Sequence, residues 1–318
     1  MMMDMVVKFL KIEKEKAAAW KRFTKVDFFG DRCPPEEVFV LNETLAVSSG
    51  GPSVLEGSLS KLYPTVNGKY MIKVAEADEV IWMLWREQAA LWVLNDLGIA
   101  PRIYDPRYEK ISAECYARSY VMDKVGSKTL ADLYDENEVT GAKQVARIGI
   151  AIINMIEKVH SRGIIHGDIF GTNFVFSDLN DVEGTLKIID FGRSKPYIDP
   201  TTGAHIPEGF AEFDLESWNP VNLSINELND KTVSRRDDMF RIAELLVFLT
   251  DGGAALLQIA PRGDIVLPPI RQLVRLKQNR RFSDAVSKQV IDIYYRSLEM
   301  GFSETPDYEV FRQILASV

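Results

Sequence analysis

Asp168, Asn173 and Asp190 are the side chains of this chain whose types and spacing point most directly to chemistry. The first two lie in Ile164-Ile165-His166-Gly167-Asp168-Ile169-Phe170-Gly171-Thr172-Asn173, just before the apolar run Phe174-Val175-Phe176. The third opens Asp190-Phe191-Gly192, directly after Lys187-Ile188-Ile189 and 22 positions beyond Asp168. Two acids and an amide on tight loops suit the holding of a divalent cation and a nucleotide triphosphate beside a hydroxyl. Phosphoryl transfer asks a protein for metal charge on the phosphates, a group that orients the hydroxyl, and positioning. On this reading Asp168 orients the nucleophile, and Asn173 and Asp190 offer oxygens to Mg²⁺.

The elements that must position these residues follow from apolar spacing. Val145, Ile148, Ile152, Met155, Ile156 and Val159 predict a helix from about Lys143 to Arg162, stopped by Gly163. Phe174–Phe176 and Leu186–Ile189 read as the strands of a hairpin joined by a polar turn from Ser177 to Thr185, which brings Asp168 and Asn173 towards Asp190. Upstream, Val54–Tyr63 and Lys69–Ala75 read as strands around the turn Asn67-Gly68. Lys73 lies in the apolar strand Met71-Ile72-Lys73-Val74-Ala75, and Glu87 shares a helix face with Leu84, Leu91 and Leu94 in a helix expected from about Asp78 to Asp96. Each charge needs a partner in such surroundings, and a Lys73–Glu87 ion pair supplies both. Trp82, Trp85 and Trp92 on that helix read as packing residues.

In this order the motifs resemble the working parts of a protein kinase. The resemblance implies that Lys73, paired with Glu87, is presented to ATP phosphates, with Asp168 as catalytic residue and Asn173 and Asp190 on the metal. It places a glycine-rich nucleotide loop at Val47-Ser48-Ser49-Gly50-Gly51-Pro52-Ser53-Val54, where Gly50 and Gly51 approach phosphate while Ser48 and Ser53 stand in the outer glycine positions. It reads Ser119–Gly126 as a strand and hinge, with Met122 lining the adenine pocket and backbone groups from Asp123 to Val125 on the adenine edge. Ser234-Arg235-Arg236-Asp237-Asp238-Met239, Pro306-Asp307-Tyr308, His205-Ile206-Pro207 and Leu223-Ser224-Ile225-Asn226 resemble the casein kinase I group. His166-Gly167-Asp168-Ile169 is similar to its vaccinia-related kinases, and Asp238 would then support the catalytic-loop backbone.

The fold so implied is α+β and two-lobed, with a small antiparallel sheet lobe plus one helix and a larger, mainly helical lobe. An N-terminal extension would occupy 1–44 and the kinase-like domain 45–318, divided into a small lobe at about 45–122, a hinge at 123–126 and a large lobe at 127–318. The implied activity is transfer of the γ-phosphate of Mg-ATP to a Ser/Thr hydroxyl of a protein. Two departures bear on it. Phe170 stands where the group usually carries a lysine two residues after the catalytic aspartate, and Gly167 replaces the arginine that reads a phosphorylated activation loop. Phe170, together with Ser48, Pro52 and Ser53 in the glycine loop, makes a pseudokinase or weakly active kinase acting as a partner-binding module the alternative reading. A small-molecule kinase is a third, against which Asp-Phe-Gly and the Arg-Arg-Asp-Asp helix argue.

Composition is ordinary for a soluble globular protein, with 46% hydrophobic and 26% charged residues among 318. A net charge of −8 gives no support to nucleic-acid binding. No apolar run has the length of a membrane helix, and the charged stretch after Leu10 is unlike a secretory signal. Cys33 and Cys115 make no disulfide framework, so a cytoplasmic or nuclear setting is expected. Arg271, Arg275, Lys277, Arg280 and Arg281 form either a solvated face or a site for an acidic or prephosphorylated substrate. In the extension, Phe9, Ile12, Ala17 and Trp20 have the spacing of an amphipathic helix that ends before Cys33-Pro34-Pro35.

Overall fold

The computed structural model describes residues 2–25, 55–56, 60–65, 68–75, 81–104, 119–139, 141–211, 220–252, 258–259, 265–266 and 268–318. The fold is α+β, and the chain divides into two compact units, one formed by Met1–Val125 with Lys187–Lys195 and the other by Gly126–Leu186 with Pro196–Val318. The Gly50-Gly51 loop, Asn67, Cys33-Pro34-Pro35 and both cysteines lie outside the described residues.

The first unit holds helix α1 (Met2–Lys25), strands β1 (Leu55–Glu56), β2 (Ser60–Pro64) and β3 (Tyr70–Ala75), helix α2 (Ile81–Leu94), and strands β4 (Ile103–Tyr104) and β5 (Ser119–Asp123). The strands form one antiparallel sheet in the order β1-β2-β3-β5-β4. The stretch expected as one strand from Val54 to Tyr63 is therefore two, since Leu55 pairs with Leu62. Gly57 and Ser58 between them are residues that favour reversal over a continued strand. The β2–β3 turn closes as expected, with Gly68 at φ 67° and its amide donating to the Thr65 carbonyl at 2.8 Å.

Helix α2 is apolar on most of its surface and is buried at Ile81, Leu84, Leu91 and Leu94, as a helix covered on more than one side must be. Asn95 follows it and clasps β4, donating to the Ile103 carbonyl at 3.0 Å and accepting the Ile103 amide at 2.8 Å. Among the tryptophans Trp82 is exposed, its ring 4.8 Å beneath the Arg86 guanidinium. Helix α1 packs against α2, and among its described side chains Val6, Phe9 and Lys16 are buried. Of the face expected from the spacing, Phe9 is buried and Ile12 half-buried, while the side chains of Ala17 and Trp20 lie outside the described residues.

The second unit contains β6 (Lys128–Thr129), α3 (Leu130–Asp135), α4 (Ala142–His160), β7 (Ile164–Ile165), β8 (Phe174–Phe176), α5 (Arg235–Asp251), α6 (Ile270–Gln278), α7 (Lys288–Glu299) and α8 (Tyr308–Ala316). Helix α5 is buried along most of its length and packs against α4 and α7. At Gly149 on α4 an added Cβ would lie 2.7 Å from Leu315 Cδ1 and 3.0 Å from Leu246 Cδ1, so α4 approaches α8 and α5 too closely for a side chain there. Gly126 is equally constrained, because a Cβ would fall 2.1 Å from the Phe176 carbonyl oxygen. The polar segment expected as a simple turn after β8 is a 3₁₀ turn at Leu179–Asp181 followed by the one-turn helix Val182–Thr185. Asp178 and Asp181 cap the two turns through their carboxylates, which offers the backbone an alternative to a plain hairpin turn.

Candidate active site

In the first unit, β3 and α2 bring Lys73 and Glu87 together. Lys73 Nζ donates to Glu87 Oε2 at 2.6 Å, with side-chain exposures of 14% and 4%. Burial works against the lysine's charge, yet the carboxylates of Glu87 and Asp190 outweigh it and hold the Lys73 pKa above its ordinary value. Asp190 Oδ1 stands 4.0 Å from Lys73 Nζ and accepts the Gly192 amide at 3.3 Å. Asp190 adopts φ 59°, a left-handed conformation uncommon for a residue with a side chain. The turn is anchored by Phe191, which is fully buried, and by Gly192, where a Cβ would press to 3.3 Å from Met83 on α2.

Met122 on β5 is buried and lies opposite Met71 and Ile103 in the sheet. Asp123 and Val125 are half-buried. The Asp123 amide donates to the Arg102 carbonyl at 2.8 Å, and its carboxylate accepts the Tyr104 hydroxyl at 2.7 Å. Burial and that hydrogen bond push the Tyr104 phenol up to about 12.

In the second unit, the loop after β7 is held from below by α5. Asp238, wholly buried, accepts the His166 amide at 2.8 Å and the Gly167 amide at 2.9 Å. His160, from the last turn of α4, places Nε2 2.9 Å from the same carboxylate and Nδ1 2.7 Å from the Tyr308 hydroxyl. A neutral imidazole satisfies both contacts as donor and acceptor. Burial lowers the His160 pKa, and although burial opposes the Asp238 charge, the His160 hydrogen bond and the backbone amides bring its carboxyl below the ordinary carboxylate value. Gly167 has φ 74°, so an arginine at this position would be strained.

Arg241, one turn along α5 from Asp238, donates to the Gly167 carbonyl at 2.7 Å and approaches Asp168 Oδ1 at 3.4 Å. Its guanidinium also pairs with buried Glu227. Burial disfavours the charge on Arg241, but Glu227 and Asp168 overcome that and raise its pKa. Asn173 Nδ2 donates to the Asp168 carbonyl at 2.9 Å and to Asp168 Oδ2 at 3.0 Å. This turns the other amide atom, the carbonyl oxygen, away from Asp168 and leaves it suitable for a hard cation.

Sequence reasoning named Asp238 but missed His160, Arg241 and Glu227. The available signal was Arg241 itself, a cation three residues past Asp238 in a helix otherwise entering an apolar run. Phe170 packs beside Phe248, with ring centroids 5.8 Å apart, and Phe248 in turn meets Tyr134 at 4.9 Å. The basic run is not one face. Lys277 is buried and bonds both oxygens of Glu244 at 2.6 Å, and Arg280 is buried 3.9 Å from Asp251, while Arg271, Arg275 and Arg281 are exposed. Apolar spacing could not reveal that two of the five already have internal partners. No group of three or more His, Cys, Asp or Glu among the described residues forms a self-sufficient metal site.

A buried helix aspartate gripping the loop backbone, a loop aspartate tied to an asparagine five residues on, and a strand lysine paired with a helix glutamate are the contacts expected from the resemblance to a protein kinase. Residues 66–216 match the family model of the protein kinase domain. The chain is 31% identical over 206 residues to casein kinase I homolog RAG8 of Kluyveromyces lactis, covering 62% of this chain and 37% of that protein. It is 25% identical over 275 residues to casein kinase I homolog 3 of Schizosaccharomyces pombe, covering 84% and 61%. Against the B1 kinase of vaccinia virus (strain Ankara) the identity is 22% over 290 residues, covering 83% and 92%. The chain thus spans little more than a third of the length of the yeast relative with the highest identity among these three.

Proposed function

We propose that this chain is an ATP-dependent Ser/Thr protein kinase that transfers the γ-phosphate of Mg-ATP to a protein hydroxyl. The observation that carries the reading is the Asp168 constellation: a partly exposed carboxylate steered by Asn173 at 3.0 Å, on a loop fastened by Asp238 and Arg241. In this role Asp168 accepts or orients the proton of the attacking hydroxyl. Lys73, kept charged by Glu87, binds phosphate oxygens, and backbone groups from Asp123 to Val125 with the Met122 side chain receive the adenine. Gly50 and Gly51 are proposed to approach the phosphates.

Asn173 and Asp190 supply hard oxygen donors of the kind Mg²⁺ takes, and Mg²⁺ in such enzymes draws its remaining ligands from water and phosphate rather than from an all-protein cage. When bound, the ion would neutralise charge on the phosphates. The extension at 1–44, the domain at 45–318 and its lobes and hinge are proposed with these boundaries. No helix among the described residues is long and apolar enough to cross a membrane. A cytoplasmic or nuclear setting accords with the reading. An acidic or prephosphorylated substrate would rely on exposed Arg271, Arg275 and Arg281.

The second reading is a pseudokinase or weakly active kinase, favoured by Phe170, whose ring is committed to Phe248 where a lysine would face phosphate. Transfer of radiolabel from ATP to casein, to the chain itself and to a small-molecule panel separates the readings. Label on protein serine or threonine that vanishes in Asp168→Asn supports the kinase. Nucleotide binding without any transfer supports the pseudokinase.

A further inference from the structure

We propose that α1 is a positioning element for the kinase site, clamping α2 so that Glu87 is held against Lys73. The proposal rests on the kinase reading above and adds to it residues that touch neither nucleotide nor substrate. The packing is specific. Val6, Phe9, Glu13 and Lys16 recur at three- and four-residue intervals, so they share one face of α1; Val6 and Phe9 are fully buried. On α2, Arg86 reaches back and donates through Nε to Glu13 Oε1 at 3.2 Å, with exposures of 32% and 26%. Near the other end of the contact, Lys8 Nζ lies 3.4 Å from the Trp92 carbonyl and 5.6 Å from the Trp92 ring. That carbonyl belongs to the last turn of α2, where backbone oxygens lack helical donors and the helix dipole favours a cation.

Arg86 and Glu87 are neighbours in sequence, about 100° apart around the helix. Arg86 is tied to α1, and Glu87 to Lys73. Rotation or withdrawal of α2 would pull on both bonds, so the contact with α1 resists movement of Glu87. The same helix carries Met83, the side chain against which Gly192 closes, and α2 thus also borders the turn that presents Asp190. Lys73 and Asp190 therefore both depend on where α2 lies.

The full-length chain tests this with Phe9→Asp, Glu13→Arg, Arg86→Glu and the double exchange Glu13→Arg/Arg86→Glu. The readouts are amide hydrogen exchange across 81–94 and the kcat and KM for Mg-ATP. Each single variant is expected to speed exchange across 81–94 and to lower kcat/KM by roughly tenfold, with the double exchange restoring most of both. Unchanged exchange in Phe9→Asp overturns the clamp. Faster exchange with unchanged kinetics overturns the positioning role, as does failure of the double exchange to recover activity lost in singles that remain folded. If Phe9→Asp does not fold, the charge exchange alone decides. Absence of transfer in the parent would sink the kinase reading, while the exchange data would still judge the clamp.

Discussion

Asp238 grips the backbone of Gly167, its Oδ1 accepting that amide at 2.9 Å from a site with no exposure to solvent. The other carboxylate oxygen serves His166 and His160 together. Asp238→Ala should therefore strand two backbone donors and a histidine in the interior. The expected cost is about 3–5 kcal/mol in urea unfolding. A loss below about 1 kcal/mol would mean that water or a neighbour replaces the carboxylate.

Stability should fall in acid in two stages. Burial depresses His160, so the unfolded chain takes up its proton first as pH drops below the ordinary histidine value of 6.5, and stability declines from there towards the folded pKa. Each unit of depression corresponds to about 1.4 kcal/mol. Asp238, also depressed, contributes stability above its ordinary value of 3.8 and loses it only as pH falls further, through its folded pKa. Melting temperatures of His160→Gln between pH 8 and 5 should show a flatter first stage. An identical profile would remove His160 from the account.

The two aspartates should fail differently. Asp168→Asn is expected to lower kcat by about 10²–10⁴-fold with little change in nucleotide binding. Asp190→Asn should weaken Mg-dependent nucleotide binding in calorimetric titration. Full turnover in Asp168→Asn would refute its assignment.

Phe170→Lys sets two effects against each other. A cation in this position stabilises charge on the transferring phosphate, and a tenfold gain in rate corresponds to about 1.4 kcal/mol of barrier. Loss of the ring beside Phe248 should lower the melting temperature at the same time. A folded, nucleotide-binding variant with no gain over a slow parent would show that the missing lysine does not limit the reaction.

Lys277→Ala should destabilise by about 3–5 kcal/mol, because Glu244 would be left without the ammonium that bonds both its oxygens. The pair Lys277→Met/Glu244→Leu should recover most of that loss. Additive losses in the double variant would contradict a direct pair.

The legible parts of this molecule were those whose signals are local. The Asn67-Gly68 turn and the apolar run after it exposed β3, helical spacing exposed α2 and α4, and a carboxylate on the face of Leu84, Leu91 and Leu94 pointed to Glu87. Asp238 came from a motif rather than from packing. Arg241 bonds the loop itself, while His160 and Glu227 support it through Asp238 and Arg241 from two other segments, and nothing in the spacing of any one segment announces the others. Lys277 and Arg280 looked like surface cations because their acids, Glu244 and Asp251, lie on a different helix. The break between β1 and β2 went unread because Gly57 and Ser58 favour a reversal without fixing it, and only the pairing of Leu55 with Leu62 shows it.

The α1–α2 contact also sets an order of events on the ribosome. Lys25 and Leu94 are 69 positions apart, so at about 5–20 residues per second roughly 3–14 s of synthesis separate the completion of the two helices. Until α2 emerges, Val6 and Phe9 have no partner surface to cover them, and α1 alone is held by local terms such as the exposed Lys11–Glu15 pair at 3.8 Å. The nascent chain therefore presents an apolar stripe flanked by charge for seconds, long enough for a chaperone at the tunnel exit to bind it, and release of that stripe must wait for α2.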